Sequence, residues 1–230
     1  MKKIIFYGDS ITDMGRNRED DNSFGVGYPS IVVKRVYEEC PSKYIILNRG
    51  ISGDRIVDLY ARIKKDVWNE NPDYLFILIG VNDVWHEIGA KNGVDIKRFE
   101  KVYRMLVEDT LNVLRNVKIV LFEPYVLKGT ATIDEWDKFI EVKEYAKVVK
   151  KIATDYNLSF IPLQERLEIA SMEKGFEEVA RDGVHPDFGG ARIIADAFMV
   201  YFYKEIEKSR KWFLLFIIFF SFFNCVISFT

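Results

Sequence analysis

The chain has 230 residues, which is enough for one domain with a substantial core and a short additional segment. Its 33 Lys and Arg residues nearly balance its 35 Asp and Glu residues, so the formal net charge of -2 argues against a nucleic-acid partner. The only two cysteines, Cys40 and Cys225, lie far apart in sequence, which argues against a disulfide framework or a thiolate metal site.

Five short apolar runs lack the alternation of a strand that is exposed on one face. Such runs predict parallel strands that are buried on both faces. In chain order they are residues 4–7, 44–47, 74–79, 118–122 and 158–161.

Between these runs, apolar residues recur at the 3.6-residue spacing of amphipathic helices. The pattern predicts helices over 56–67, 99–114, about 134–156 and 193–202. Strands that alternate with helices predict a doubly wound α/β domain. We therefore expect a flavodoxin-like, three-layer α/β/α fold with a five-stranded parallel sheet in the order 2-1-3-4-5.

In such an open sheet, ligands bind beyond the carboxyl ends of the strands, near the point where the strand order reverses. The first three strands lead into loops at 8–13, 48–53 and 80–83. With the expected strand order these loops are immediate neighbours, and Ser10 lies in the middle one.

His185 follows Asp182 by three residues, just before the last predicted helix. A serine hydroxyl is a weak nucleophile until a base takes its proton, and histidine is the usual base. On a tight turn, the Asp182 carboxylate can hydrogen-bond one ring nitrogen while the other nitrogen faces Ser10.

Each of these signals has a purely structural alternative. Ser10 and Asp13 have the spacing of a helix capping box, which is compatible with catalysis but does not require it. The segment from Asp182 to His185 also fits a surface turn, and Asn82 fits a turn-forming residue.

Four loops in chain order resemble the diagnostic blocks of the SGNH (GDSL-type) hydrolases, namely GDSIT at 8–12, NRGISG at 48–53, GVND at 80–83 and DGVHP at 182–186. The resemblance covers about residues 1–206 and implies the SGNH hydrolase fold, an esterase activity and a catalytic triad. It implies these roles: Ser10 as nucleophile and oxyanion donor, Gly50 and Asn82 as further oxyanion donors, His185 as base and Asp182 as its partner. Ile11 replaces the leucine of the archetypal motif.

Longer strings around these blocks look most like the intracellular acetylxylan-esterase-type members. That likeness implies removal of small acyl groups, acetyl above all, from carbohydrate such as xylo-oligosaccharide, with no metal or other cofactor, and assembly into homo-oligomers in the cytoplasm. We expect substrate contacts from Asp9, Tyr28, Trp85 and Tyr125, although the aromatic rings could equally pack loops against the core. His86 is expected at the pocket rim.

Three alternatives to this function can be weighed. A lysophospholipase or thioesterase would use the same triad. A non-catalytic flavodoxin-like binding module is disfavoured, because no G-x-x-x-x-G-K-S/T or G-x-G-x-x-G motif follows a strand. A catalytically silent carbohydrate-binding relative is disfavoured because all five expected catalytic positions are filled.

The segment 207–230 is interpreted as a basic flank followed by an apolar tail. Residues 212–230 are 19 residues without a charged side chain, close to the roughly 20 that cross a bilayer. Lys204, Lys208, Arg210 and Lys211 precede them and would keep a catalytic domain over residues 1–206 on the cytoplasmic side. A membrane anchor, an oligomer contact and misread AT-rich sequence all stay open.

Overall fold

A computed structural model describes residues 1–207 of the chain. Five parallel strands form one sheet in the order β2-β1-β3-β4-β5, which confirms the predicted fold and strand order. The strands are β1 Lys2–Gly8, β2 Tyr44–Gly50, β3 Tyr74–Leu78, β4 Lys118–Phe122 and β5 Ser159–Ile161.

The carboxyl ends of the central strands lie at one level of the sheet. Gly8 at the end of β1 lies opposite Gly50 of β2 on one side and Leu78 of β3 on the other. All five residues of β3 are buried, as expected for an apolar strand covered on both faces. The loops that follow these three strands therefore start side by side.

Helices cover the sheet in two groups: α2 packs against α10, and α5 packs against both α3 and α7. Within residues 1–207 the helices are α1 Ser10–Asp13, α2 Tyr28–Glu39, α3 Ile56–Ile63, α4 Val81–Ala90, α5 Ile96–Val113, α6 Trp136–Phe139, α7 Val142–Asp155, α8 Gln164–Lys174, α9 Phe176–Val179 and α10 Phe188–Tyr201. Short π-helical turns, Lys64–Trp68 and Phe202–Ile206, continue α3 and α10.

The helix predicted over 134–156 is two helices rather than one. Around its break, the amide groups of Glu141 and Lys143 donate to carbonyls three residues earlier, so the chain turns more tightly than an α-helix. Just before the break, the Phe139 ring lies 5.6 Å from the ring of Trp85 on α4.

The predicted anchor over 212–230 lies outside the described residues. In the part of the chain that the structure describes, no helix combines the length and apolar character needed to span a bilayer. Glu207, predicted to begin the tail, is 9% exposed and accepts a 2.7 Å hydrogen bond from the Tyr44 hydroxyl. It therefore packs with the α/β domain.

Candidate active site

Ser10 is the first residue of α1, two residues beyond the end of β1. The residue that caps this helix is Asp9, whose Oδ1 accepts the Ile11 amide at 2.9 Å. The alternative interpretation of Ser10 as the cap is therefore wrong, because Asp9 supplies the acceptor. The Ser10 hydroxyl is left for other contacts.

A short loop between α9 and α10 carries His185. Asp182 Oδ1 accepts the amides of Val184 and His185, each at 2.8 Å. The Tyr125 hydroxyl donates to the Val184 carbonyl at 2.9 Å from the loop that follows β4. These contacts fix the loop and so the direction of the imidazole.

Three side chains from the two ends of the chain form a line of hydrogen bonds. The distance from Ser10 Oγ to His185 Nε2 is 2.8 Å, and that from His185 Nδ1 to Asp182 Oδ2 is 2.6 Å. The bond to Asp182 raises the pKa of His185 above its ordinary value, against the effect of burial. Burial alone would raise the pKa of Asp182, but its hydrogen bonds from His185 and the loop amides hold it below the ordinary value.

An open pocket of about 400 Å³ lies over Ser10 and His185. Its lining is formed by Ser10, Ser52, Gly53, Asn82, Trp85, His86, Gly89, Ala90 and His185. The Trp85 ring lies 5.9 Å from the imidazole of His185, so this residue, which the sequence predicts to contact substrate, forms part of the pocket wall. His86 also lies in the wall, and burial lowers the pKa of its ring.

Asn82 enters the pocket from the first turn of α4. Its Nδ2 donates one hydrogen bond to the Asp54 carbonyl at 3.0 Å, which fixes the orientation of the amide. An amide nitrogen carries two hydrogens, so the second remains to donate to a ligand.

The structure corrects the prediction for Gly50. Its amide donates to Asn48 Oδ1 at 2.9 Å. A Cβ at this position would lie 2.3 Å from the backbone nitrogen of Asp13, so glycine is needed for close packing against α1. Gly50 is therefore a packing residue, and the prediction of an oxyanion donor there is wrong.

Gly53, three residues later, is the glycine of this loop that lines the pocket. Its φ of 86° is in the region that favours glycine. The NRGISG block contains both glycines, and its sequence does not say which of them faces the pocket. The path of the loop in the structure does.

Asp9, Tyr28 and Tyr125 do not reach the pocket, and their predicted substrate contacts are wrong. Each is at most 1% exposed. The Tyr28 hydroxyl is hydrogen-bonded to Thr12 Oγ1, and the Tyr125 hydroxyl donates to the Val184 carbonyl. Both tyrosines therefore hold neighbouring segments in place rather than contact the pocket. Burial raises the pKa of Asp9 to about 7.

Carboxylates that sequence reasoning missed hold the loop after β2. Asp13 Oδ2 accepts both the amide and the hydroxyl of Ser52, at 2.9 and 3.1 Å. Asp83 is 1% exposed and accepts the Ile56 amide. Among residues 1–207, no cluster of His, Cys, Asp and Glu side chains is arranged to hold a metal ion.

Comparison with known families supports the motif-based resemblance. The model of the GDSL-like lipase/acylhydrolase family matches residues 6–193. The chain is 35% identical over 221 residues to the acetylxylan esterase of Geobacillus stearothermophilus, an alignment that covers 91% of this chain and 97% of that protein.

Solved structures agree with these matches. A GDSL-like lipase of Parabacteroides merdae superposes with a TM-score of 0.82 and 34% identity, covering 86% of this chain and 94% of that one. The crystal structure of the Geobacillus stearothermophilus acetylxylan esterase superposes with a TM-score of 0.77 and 32% identity, covering 86% of this chain and 92% of that one.

Proposed function

The chain belongs to the GDSL-like lipase/acylhydrolase family and is a carboxylic ester hydrolase, and from this premise we propose that it removes acetyl groups from carbohydrate such as xylo-oligosaccharide through Ser10, His185 and Asp182. The line of hydrogen bonds from Ser10 through His185 to Asp182, at the base of an open pocket, carries the proposal. Serine-to-alanine and aspartate-to-alanine variants of the Geobacillus esterase are described as catalytic mutants, which agrees with the residue types proposed here.

In the proposed acylation, His185 Nε2 takes the proton from the Ser10 hydroxyl as Oγ attacks the ester carbonyl. The resulting tetrahedral intermediate collapses by breaking the bond between the carbonyl carbon and the sugar oxygen. The imidazolium gives its proton to that departing oxygen, which leaves as a sugar hydroxyl. Water then attacks the acetyl-enzyme with the same assistance, releasing acetate and restoring Ser10. Asp182 holds the ring orientation and stabilises the imidazolium while it exists.

The developing oxyanion needs preorganised donors on the opposite side of the carbonyl. We propose the Ser10 amide, the Gly53 amide and Nδ2 of Asn82 for this role. All three residues line the pocket, and Asn82 donates without needing a charge. Gly53 takes the place that the sequence resemblance assigned to Gly50.

Replacing Asn82 with alanine should lower kcat by about 10²- to 10³-fold and leave KM nearly unchanged, because an oxyanion donor acts mainly in the transition state. Steady-state kinetics on an acetyl ester measure both constants. Asn92→Ala, which removes an exposed asparagine amide just after α4, is the matched control and should retain full activity. An Asn82→Ala variant with unchanged kcat would exclude Asn82 from the oxyanion site.

The pocket wall favours a small acyl group. Its large apolar surface comes from Trp85, with only Gly89 and Ala90 beside it. Each methylene that an acyl chain buries contributes about 0.8 kcal/mol, so a long chain binds well only where an extended apolar surface receives it. The aromatic ring of Trp85 instead suits the apolar face of a sugar.

Acetyl esters should therefore be hydrolysed at least about tenfold faster than octanoyl esters of the same alcohol, since the longer chain gains little apolar contact. The measurement is kcat/KM across acetyl, butyryl and octanoyl esters, beside acetate release from acetylated xylo-oligosaccharide. A preference for octanoyl esters would contradict the acetyl proposal and favour the lysophospholipase or thioesterase alternative. Trp85→Ala should raise KM for the oligosaccharide more than for a small acetyl ester.

A further inference from the structure

A second cavity of about 400 Å³ shares the loop after β2 with the active-site pocket. Ile51 lines this second cavity, whereas Ser52 and Gly53 line the pocket over Ser10. The cavity is notable for its basic side chains, Arg16, Arg18, Arg49, Arg62 and Lys65, beside the carboxylates Asp21, Asp66 and Glu70.

The three carboxylates of this cavity are already paired. Asp21 and Glu70 both form ion pairs with Arg49, and Glu70 also pairs with Lys3. Asp66 pairs with Arg62. Because each of the three carboxylates already has a cationic partner, little negative charge is left to balance the other cations of the cavity.

Among the described residues, two cations of the cavity have no carboxylate partner, Arg16 and Lys65, and of these Arg16 is the buried one. It is 8% exposed, and its Nε donates to the Gly50 carbonyl at 3.0 Å. Within residues 1–207 no carboxylate forms an ion pair with its guanidinium, although Asp13, which pairs with Arg18, lies near. A guanidinium has five N–H donors, and within residues 1–207 only that of Nε has a hydrogen-bond partner.

The surroundings of Arg16 are electropositive. Burial lowers its pKa from the ordinary arginine value, and the charges of Arg49, Arg18 and Arg62 act in the same direction against that of Asp13. Lys65 stands exposed at the edge of the cavity and forms no ion pair among the described residues. A buried charge without a counter-ion is unfavourable, and an oxyanion that entered would relieve it.

We propose that this cavity is a binding site for a small oxyanion, a phosphate, sulfate or carboxylate group, held by the free N–H groups of Arg16 with Lys65 at the rim. The planar guanidinium fork matches two oxygens of such an anion. The site uses different side chains from the Ser10 pocket and contains no triad residue, so binding does not depend on catalysis.

The test is isothermal titration calorimetry on the Ser10→Ala protein, which separates binding at the cavity from ester chemistry. Inorganic phosphate, sulfate and acetate are titrated in separate experiments at fixed ionic strength in chloride. We expect saturable binding of one anion per chain, with phosphate and sulfate favoured if a dianion is the ligand and acetate favoured if a carboxylate is.

Arg16→Gln should weaken binding by about tenfold or more, since hydrogen bonds to a charged group are lost. Lys65→Gln, which removes one exposed charge, should weaken it by a smaller factor. Lys101→Gln, an exposed lysine on α5, is the matched control and should bind as the parent does.

No saturable binding of any of the three anions would overturn the proposal, as would unchanged affinity in both Arg16→Gln and Lys65→Gln. Circular dichroism reports whether Arg16→Gln folds. If it does not, Lys65→Gln and Arg18→Gln decide, because both side chains are exposed enough to be replaced without opening the core.

Discussion

Replacing Ser10 with alanine should lower kcat for an acetyl ester by about 10⁶-fold while the fold is kept, because the variant has no atom that can form the acyl-enzyme. Within residues 1–207 the hydroxyl of Ser10 hydrogen-bonds to His185 alone, so no hydrogen bond to the core is lost with it. The measurements are kcat by steady-state hydrolysis and the thermal unfolding midpoint of both proteins.

Ser52→Ala is the control for Ser10→Ala, because Ser52 lines the same pocket but bonds to Asp13 rather than to His185. It should lose less than about tenfold in kcat, as expected for one hydrogen bond that supports a loop. A serine-directed phosphonate should label the parent protein and Ser52→Ala but leave Ser10→Ala unlabelled. Comparable activity in Ser10→Ala and the parent would show that another group is the nucleophile.

Replacing His185 with alanine should have an effect of the same size, about 10⁶-fold in kcat, because Ser10 loses its base. The double variant Ser10→Ala/His185→Ala should be no slower than either single variant, since the two side chains act as a unit. His86→Ala is the matched control. His86 lies in the same pocket wall, yet within residues 1–207 no carboxylate hydrogen-bonds its ring, so most activity should remain.

The pH dependence gives a second readout of His185. The base acts only when neutral, so kcat/KM should rise with pH through the pKa of His185, which Asp182 raises above the usual value of 6.5. In Asp182→Asn the main cause of that rise is removed, so the acidic limb should move to lower pH while the plateau falls about 10⁴-fold. A limb that stays in place in Asp182→Asn would contradict the proposed coupling, and so would a larger loss in His86→Ala than in His185→Ala.

Composition and periodicity determined the fold class of this protein. Apolar runs without alternation place apolar side chains on both faces of a strand, so both faces must be buried. The helices predicted between the runs can bury them. The five strands lie where these runs predict them, to within a few residues at the ends. The break between α6 and α7 was not predictable in the same way, because both halves keep one helical period and no proline or glycine marks the join.

The sequence blocks also narrowed the site to a few loops, because parallel strands bring the loops after β1, β2 and β3 to one edge of the sheet. Ser10, Asn82 and the Asp182–His185 pair are all read from such blocks, and the structure brings them together around one pocket.

Tertiary structure alone decided which groups within the blocks face that pocket. Gly50 and Gly53 belong to one motif, yet close packing against α1 commits the amide of Gly50 to Asn48. Tyr28 and Tyr125 look like sugar-stacking residues in sequence, but their rings are buried. Motif spacing records which residue types a loop carries, whereas the direction of each N–H and each ring depends on packing against segments distant in sequence. Packing also leaves the guanidinium of Arg16 without an ion-pair partner among residues 1–207, since its surroundings come from three separate segments of the chain.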